Sequence, residues 1–155
     1  MVEINNTTRQ KVNLSAARNL AAKLLRAYKQ GARTVSVALV GEKRMRALNK
    51  KYRGRDRTTD VLAFPARTAT GPGRGKGPRA GGYLGEVVVN LGAVKKSASY
   101  RDLFLTDKKP AYILAFVLVH GLLHLLGYDD KTAAGQKLML KKGREFLARF
   151  RPGGL

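Results

Sequence analysis

Apolar residues recur at helical spacing at Leu14, Ala17, Leu20, Ala21 and Leu24, and Gly31 ends the pattern, which predicts a first helix from about Ser15 to Tyr28. TVSVALV, Thr34 to Val40, is β-branched and partly alternating and reads as a strand. Beyond Gly41, EKRMRALNKKY resumes a helical period through Met45, Leu48 and Tyr52. VLAFP (Val61 to Pro65) and LGEVVVN (Leu84 to Asn90) are short apolar runs and read as two further strands. Helical patterns return at Ala93 to Leu103, Pro110 to Leu126 and Thr132 to Phe150, the last through Leu138, Leu140, Phe146 and Leu147. The first thirteen residues, MVEINNTTRQKVN, are polar, and no element is assigned to them. This order predicts an α+β domain covering 1–155, a small mixed β-sheet packed with helices around a central 110–126 helix.

Between the two later strands, ARTATGPGRGKGPRAGG, Ala66 to Gly82, is dense in Gly, Pro and Arg and has nothing apolar enough to pack. It reads as a surface loop, either a plain connector or a cationic arm that follows phosphates. The stretch from Pro110 to Tyr128 is nearly long enough to span a bilayer, but two histidines and a glycine interrupt it. A central helix of a small soluble domain is also apolar all round, so no membrane role is expected. The N-terminal stretch lacks the apolar core of a signal peptide, which points to the cytoplasm.

Charge narrows the partner. The 155 residues carry 31 Lys+Arg against 10 Asp+Glu, a formal net charge of +21, which a polyanion such as RNA would offset. There is no cysteine, so disulfides, zinc knuckles and thiol nucleophiles are excluded.

Both histidines of the chain, His120 and His124, lie four apart on the apolar helix. That spacing sets two imidazoles on one face, a turn apart, where they can share one ion. The alternative is a pair of core histidines bonded to backbone carbonyls. Pro110 suits the first helical turn, Thr106 or Asp107 can cap it, and Gly127 suits a left-handed C-terminal position. Asp129 and Asp130 follow, giving HxxxHxxGxxD with a carboxylate able to swing back as third ligand and a coordination position left for solvent. Zinc peptidases with this spacing carry a glutamate after the first histidine; here Gly121 stands there, which argues against peptide hydrolysis.

HGLLHLLGYD, residues 120 to 129, resembles the HGxLHLxGYDH signature of the YbeY family of bacterial endoribonucleases. RALNKKYRGRDRTTDVLAFP, Arg46 to Pro65, resembles that family's LNxxYRGxDxPTDVLSFP, and LGEVVVN its LGDIxIS strand. The resemblance implies a zincin-like fold with a metal-binding central helix. It implies a metal-dependent endoribonuclease preferring single strands, acting in small-subunit 16S rRNA maturation and ribosome quality control. It also implies one divalent ion, zinc, held by His120, His124 and the third position, which falls on Asp130 where the family has histidine. Asp129, matched by an aspartate in the family, is the rival ligand. The carboxylate lowers the charge of the metal site by one unit and leaves the identity of the metal open.

Arg53 falls on the arginine of the family's YRG and would stabilise the phosphoryl oxygens. His120, His124 and Arg53 are thus the expected catalytic residues, and Lys50, Lys51, Arg53, Arg55 and Arg57 the expected RNA-binding cluster. Ala63 and Asn90 depart from the family's common serines, and the Gly/Arg loop also differs. The other class of function is a non-catalytic RNA-binding ribosome assembly factor with a structural or degenerate metal site.

Overall fold

The structure, a computed structural model, describes residues 1–66, 82–96, 109–150 and 155. Strand β1 (Val2–Asn6) leads into helix α1 (Leu14–Ala27), strand β2 (Thr34–Val40) and helix α2 (Glu42–Arg53). Strands β3 (Val61–Pro65) and β4 (Tyr83–Asn90) and the short helix α3 (Leu91–Lys95) follow. Helices α4 (Pro110–Leu125) and α5 (Ala133–Arg149) complete the described elements. The strands form a mixed sheet in the order β1-β2-β4-β3, parallel at β1/β2 and β2/β4 and antiparallel at β3/β4.

The predicted α+β architecture is the observed one, with boundaries shifted by a residue or two. Strand β1 is the exception, because no element was expected there. Its alternation is short, Val2 and Ile4 facing the core among polar neighbours, and its pairing with β2 from Val2↔Val35 to Asn6↔Leu39 makes it a strand. A partner, rather than local propensity, decides such an edge. Within the expected Ala93–Leu103 helix only α3 is described, and residues 97–108 lie outside the described set together with the proposed caps Thr106 and Asp107. The helix start is instead held by Pro110 in the first turn, with Lys109 as N-cap and no side-chain cap bond. The Gly/Arg loop between β3 and β4 lies, at 67–81, outside the described residues too.

The sheet has two unlike faces. Val35, Val37, Leu39, Val87 and Val89 turn toward α1 and α4 and join the main core. Val40, Leu62 and Val88 turn the other way, onto Met45 of α2, as a smaller cluster. Helix α4 runs between the sheet and α5, and its burial follows from that position: from Ile113 to Leu125 every residue is buried except His120 and His124. Among the described residues no helix is long and apolar enough to cross a membrane.

Gly121 sets how closely α4 lies on the sheet. A Cβ there would stand 2.5 Å from Val87 Cγ1 and 2.8 Å from Val61 Cγ2, both closer than carbon atoms pack. We expect Gly121→Ala to destabilise the protein by about 1–3 kcal/mol, the usual cost of overpacking a core. Urea denaturation checks this, and an unchanged midpoint would show that the helix can lift at no cost.

Candidate metal centre

The last turn of α4 determines the site. Gly127 adopts φ 95°, the amide of Gly127 donates to His124 O at 3.0 Å, and that of Tyr128 donates to Leu123 O at 3.1 Å. This is the Schellman pattern, in which a left-handed glycine lets the chain satisfy the final carbonyls and reverse at once. The reversal brings the Tyr128 carbonyl 3.1 Å from His124 Nδ1. An imidazole that donates from Nδ1 keeps its lone pair on Nε2, facing away from the carbonyl.

Two residues further on, Asp130 returns over both rings. Its Oδ2 lies 3.3 Å from His120 Nε2 and 3.6 Å from His124 Nε2, and the two rings meet edge to face with centroids 4.8 Å apart. One ligand atom from each of the three residues falls within 4.8 Å of the others. Ligands about 2.0–2.1 Å from a tetrahedral ion stand about 3.3–3.4 Å apart, so the carboxylate-to-imidazole spacings suit a single divalent ion. The donor types, two imidazoles and a carboxylate, suit zinc or iron.

Asp129 is directed elsewhere. Its Oδ1 accepts from the Lys131 amide at 2.8 Å and its Oδ2 meets Lys131 Nζ at 3.4 Å, contacts that hold its carboxyl below the usual range. Asp130, not its neighbour, is the carboxylate that the structure brings to the histidines.

His120 and Asp130 open onto a cavity of about 190 Å³ that is also lined by Asp60, Phe116, Val117, Gln136 and Leu140. Asp60 falls within RALNKKYRGRDRTTDVLAFP, where nothing in the sequence alone marks it as a cavity residue. Its Oδ1 accepts from the Val61 amide at 2.8 Å, and its carbonyl accepts from the Asn90 amide at 2.8 Å. Asn90 is fully buried and donates through Nδ2 to Thr58 Oγ1 and Thr59 O, while its Oδ1 receives the Gly92 amide. One buried amide thus fixes the Thr58–Asp60 turn that walls the cavity. A buried polar side chain with all its bonds made is a stiff joint. The TTD triplet before an apolar strand was the available signal.

Arg53 stands apart from the cavity lining. Exposed at the end of α2, it donates from Nη2 to Ala63 O at 3.2 Å, a carbonyl on the free edge of β3. Lys50 pairs with Asp56 at 3.1 Å, and Lys51 Nζ lies 5.1 Å from the centroid of the Tyr52 ring. Arg55 and Arg57 are exposed on the following turn, whose backbone is tied to the buried Asn49. The cationic cluster therefore lies along the end of α2 and the turn after it, and none of its members lines the cavity.

Burial, then the neighbouring His124, hold the His120 imidazole below the ordinary histidine value, with Asp130 opposing them. The unfolded chain consequently takes up a proton that the folded chain refuses, so stability rises with pH across that interval. In chelator-treated protein the His120 contribution is complete above about pH 6.5 and is lost as pH falls below it. Urea midpoints at about pH 8 and about pH 5.5 should differ more for the wild type than for His120→Phe, and equal differences would contradict this assignment.

Comparison with known proteins agrees with this geometry. The profile of the family described as Endoribonuclease YbeY matches residues 3–151. A protein named Endoribonuclease YbeY from Anaeromyxobacter sp. is 39% identical over 138 residues, covering 87% of this chain and 65% of its own length, just under two thirds. One of the same name from Geobacillus sp. is 32% identical over 152 residues, covering 96% of this chain and 92% of its own. A solution structure of a Thermotoga maritima protein superposes with a TM-score of 0.58 at 30% identity, over 97% of this chain and 92% of that one. With a family profile spanning nearly the whole sequence, and the two histidines of its signature gathered with Asp130 in one cluster, the chain belongs to the endoribonuclease YbeY family.

Proposed function

We propose that the chain works as one metal-dependent endoribonuclease domain, 1–155, that cuts single-stranded segments of small-subunit 16S rRNA during maturation and ribosome quality control in the cytoplasm. Family membership supports the reaction class, and the gathering of His120, His124 and Asp130, two of them lining a cavity, is the observation that carries the site. In this reading those three residues hold one divalent ion, zinc. Such an ion supplies positive charge to the phosphoryl oxygens and makes solvent a stronger nucleophile.

The chain's own groups do the rest. The His124 Nδ1 proton, donated to the Tyr128 carbonyl, keeps the ring from turning and its Nε2 lone pair forward. Phe116, Val117 and Leu140 line the cavity with apolar surface and limit water beside the reacting phosphate. Arg53 exchanges its bond to Ala63 O for two phosphoryl oxygens, a swap that an exposed guanidinium makes at little cost. Lys50, Lys51, Arg55 and Arg57 follow the flanking phosphates and give affinity without sequence choice.

One observation favours a second reading. Arg53 is engaged with the β3 edge and does not line the cavity, as in an RNA-binding assembly factor whose metal site is structural. Metal content and cleavage separate the two. Asp130→Ala should lose bound metal at least roughly tenfold relative to wild type, while Asp130→His should keep it and bind zinc more tightly. Elemental analysis of purified protein reads both, and equal content in all three proteins would remove Asp130 from the site. Arg53→Ala should lower kcat/KM on structured RNA by about 10²–10³ with metal content unchanged. Unaltered cleavage in that variant, or in His120→Ala, would favour the assembly factor.

A further inference from the structure

The sheet face opposite α4 carries a second, larger concavity of about 740 Å³. Its floor is apolar, formed by Val40 and Val88 of the sheet with Phe64 beside them. Its wall is α2, through Arg44, Leu48 and Tyr52. Tyr52 is 55% exposed, far more than a tyrosine needs for packing, and meets Phe64 edge to face at 5.2 Å between centroids. The Lys51 ammonium lies 5.1 Å from the Tyr52 centroid, so an exposed ring and a cation are presented together. Helix α2 carries Lys43, Arg44, Arg46, Lys50, Lys51 and Arg53 against a single carboxylate, Glu42. Only Arg46 and Lys50 of these meet an acidic side chain in the described structure, Asp56.

We propose that this groove binds one base of a single-stranded RNA, the base stacking on Tyr52 with its flanking phosphates on Lys51 and Arg44. Aromatic rings interleaved with cations are what a flexible polyanion with flat bases recognises, and stacking tolerates any base. Glu86, also in the groove, repels phosphate and so keeps the backbone at the rim while accepting an N–H from a base edge. Tyr52 precedes Arg53, which reaches the β3 edge at Ala63, the residue before Phe64 of the groove. A strand anchored on Tyr52 therefore has Arg53 and the β3 edge beside it. The choice of RNA as ligand rests on the nuclease reading; the groove itself does not.

Fluorescence anisotropy with a 2′-O-methyl oligonucleotide of about 12 residues, which resists cleavage, tests the proposal on the full chain. Tyr52→Ala should weaken binding roughly tenfold and Tyr52→Phe should restore it to within about twofold, because stacking needs the ring and not the hydroxyl. The slope of affinity against salt should be unchanged in Tyr52→Ala and shallower by about one in Arg44→Ala. A 5-iodouridine probe should cross-link to the peptide containing Tyr52. Wild-type affinity in Tyr52→Ala, or cross-links confined to other peptides, would overturn the proposal and leave the groove to a protein partner. Cleavage and metal content measured on the same preparations keep the two readings apart. Tyr52-dependent binding without cleavage sinks the nuclease and spares the groove, whereas metal-dependent cleavage with Tyr52-independent binding does the reverse.

Discussion

The reversal of the chain at Gly127 is the constraint on which the site depends. A helix as buried as α4 has no exposed face on which to assemble polar groups, so its chemistry has to come at its end. The left-handed glycine makes that end abrupt: within three residues the backbone has satisfied its last carbonyls, supplied an acceptor to His124 and turned Asp130 back over the rings. A more gradual exit would carry the carboxylate away from the histidines. The two histidines are the only breaks in the burial of Ile113–Leu125, so the helix opens where the turn returns.

Much of this was legible in the sequence, for identifiable reasons. The four-residue histidine spacing and the glycine three positions later translate directly into helix geometry, and the structure brings those residues together. Strands β2 and β3 were placed residue for residue because β-branched runs bounded by glycine or proline leave few alternatives. Strand β1 was not legible, since its polar neighbours hide an alternation that only pairing with β2 reveals. The choice between Asp129 and Asp130 was open on sequence, because adjacent residues after a turn point in different directions that composition does not encode. Asp60 was not legible, and Asn90 stood out only as a departure from the family's serine, for a related reason: their roles lie in bonds between β3, β4 and the turn before β3, which are remote in sequence.

The third ligand position gives this chain its own character within the family. In the proposed metal site, a carboxylate where the resemblance implies an imidazole would leave one unit less positive charge, so that solvent there would be less readily deprotonated. The surplus of 31 basic over 10 acidic residues works in the opposite direction, concentrating polyanions around the whole molecule. In the proposed function, binding strength and chemical power would thus be set by different parts of the chain, the first by α2 and the surface, the second by the end of α4.

Asn90 has a consequence for how the cavity accommodates what enters it. Because that amide locks the Thr58–Asp60 turn to the head of α3 and the end of β4, one side of the cleft shares the rigidity of the sheet. Gln136 and Leu140 form the other side from α5, a helix joined to α4 by a short reversing segment. Under the proposed function a nucleotide entering the cleft would therefore meet one wall braced through the bonds of Asn90 and another made of side chains from a single helix.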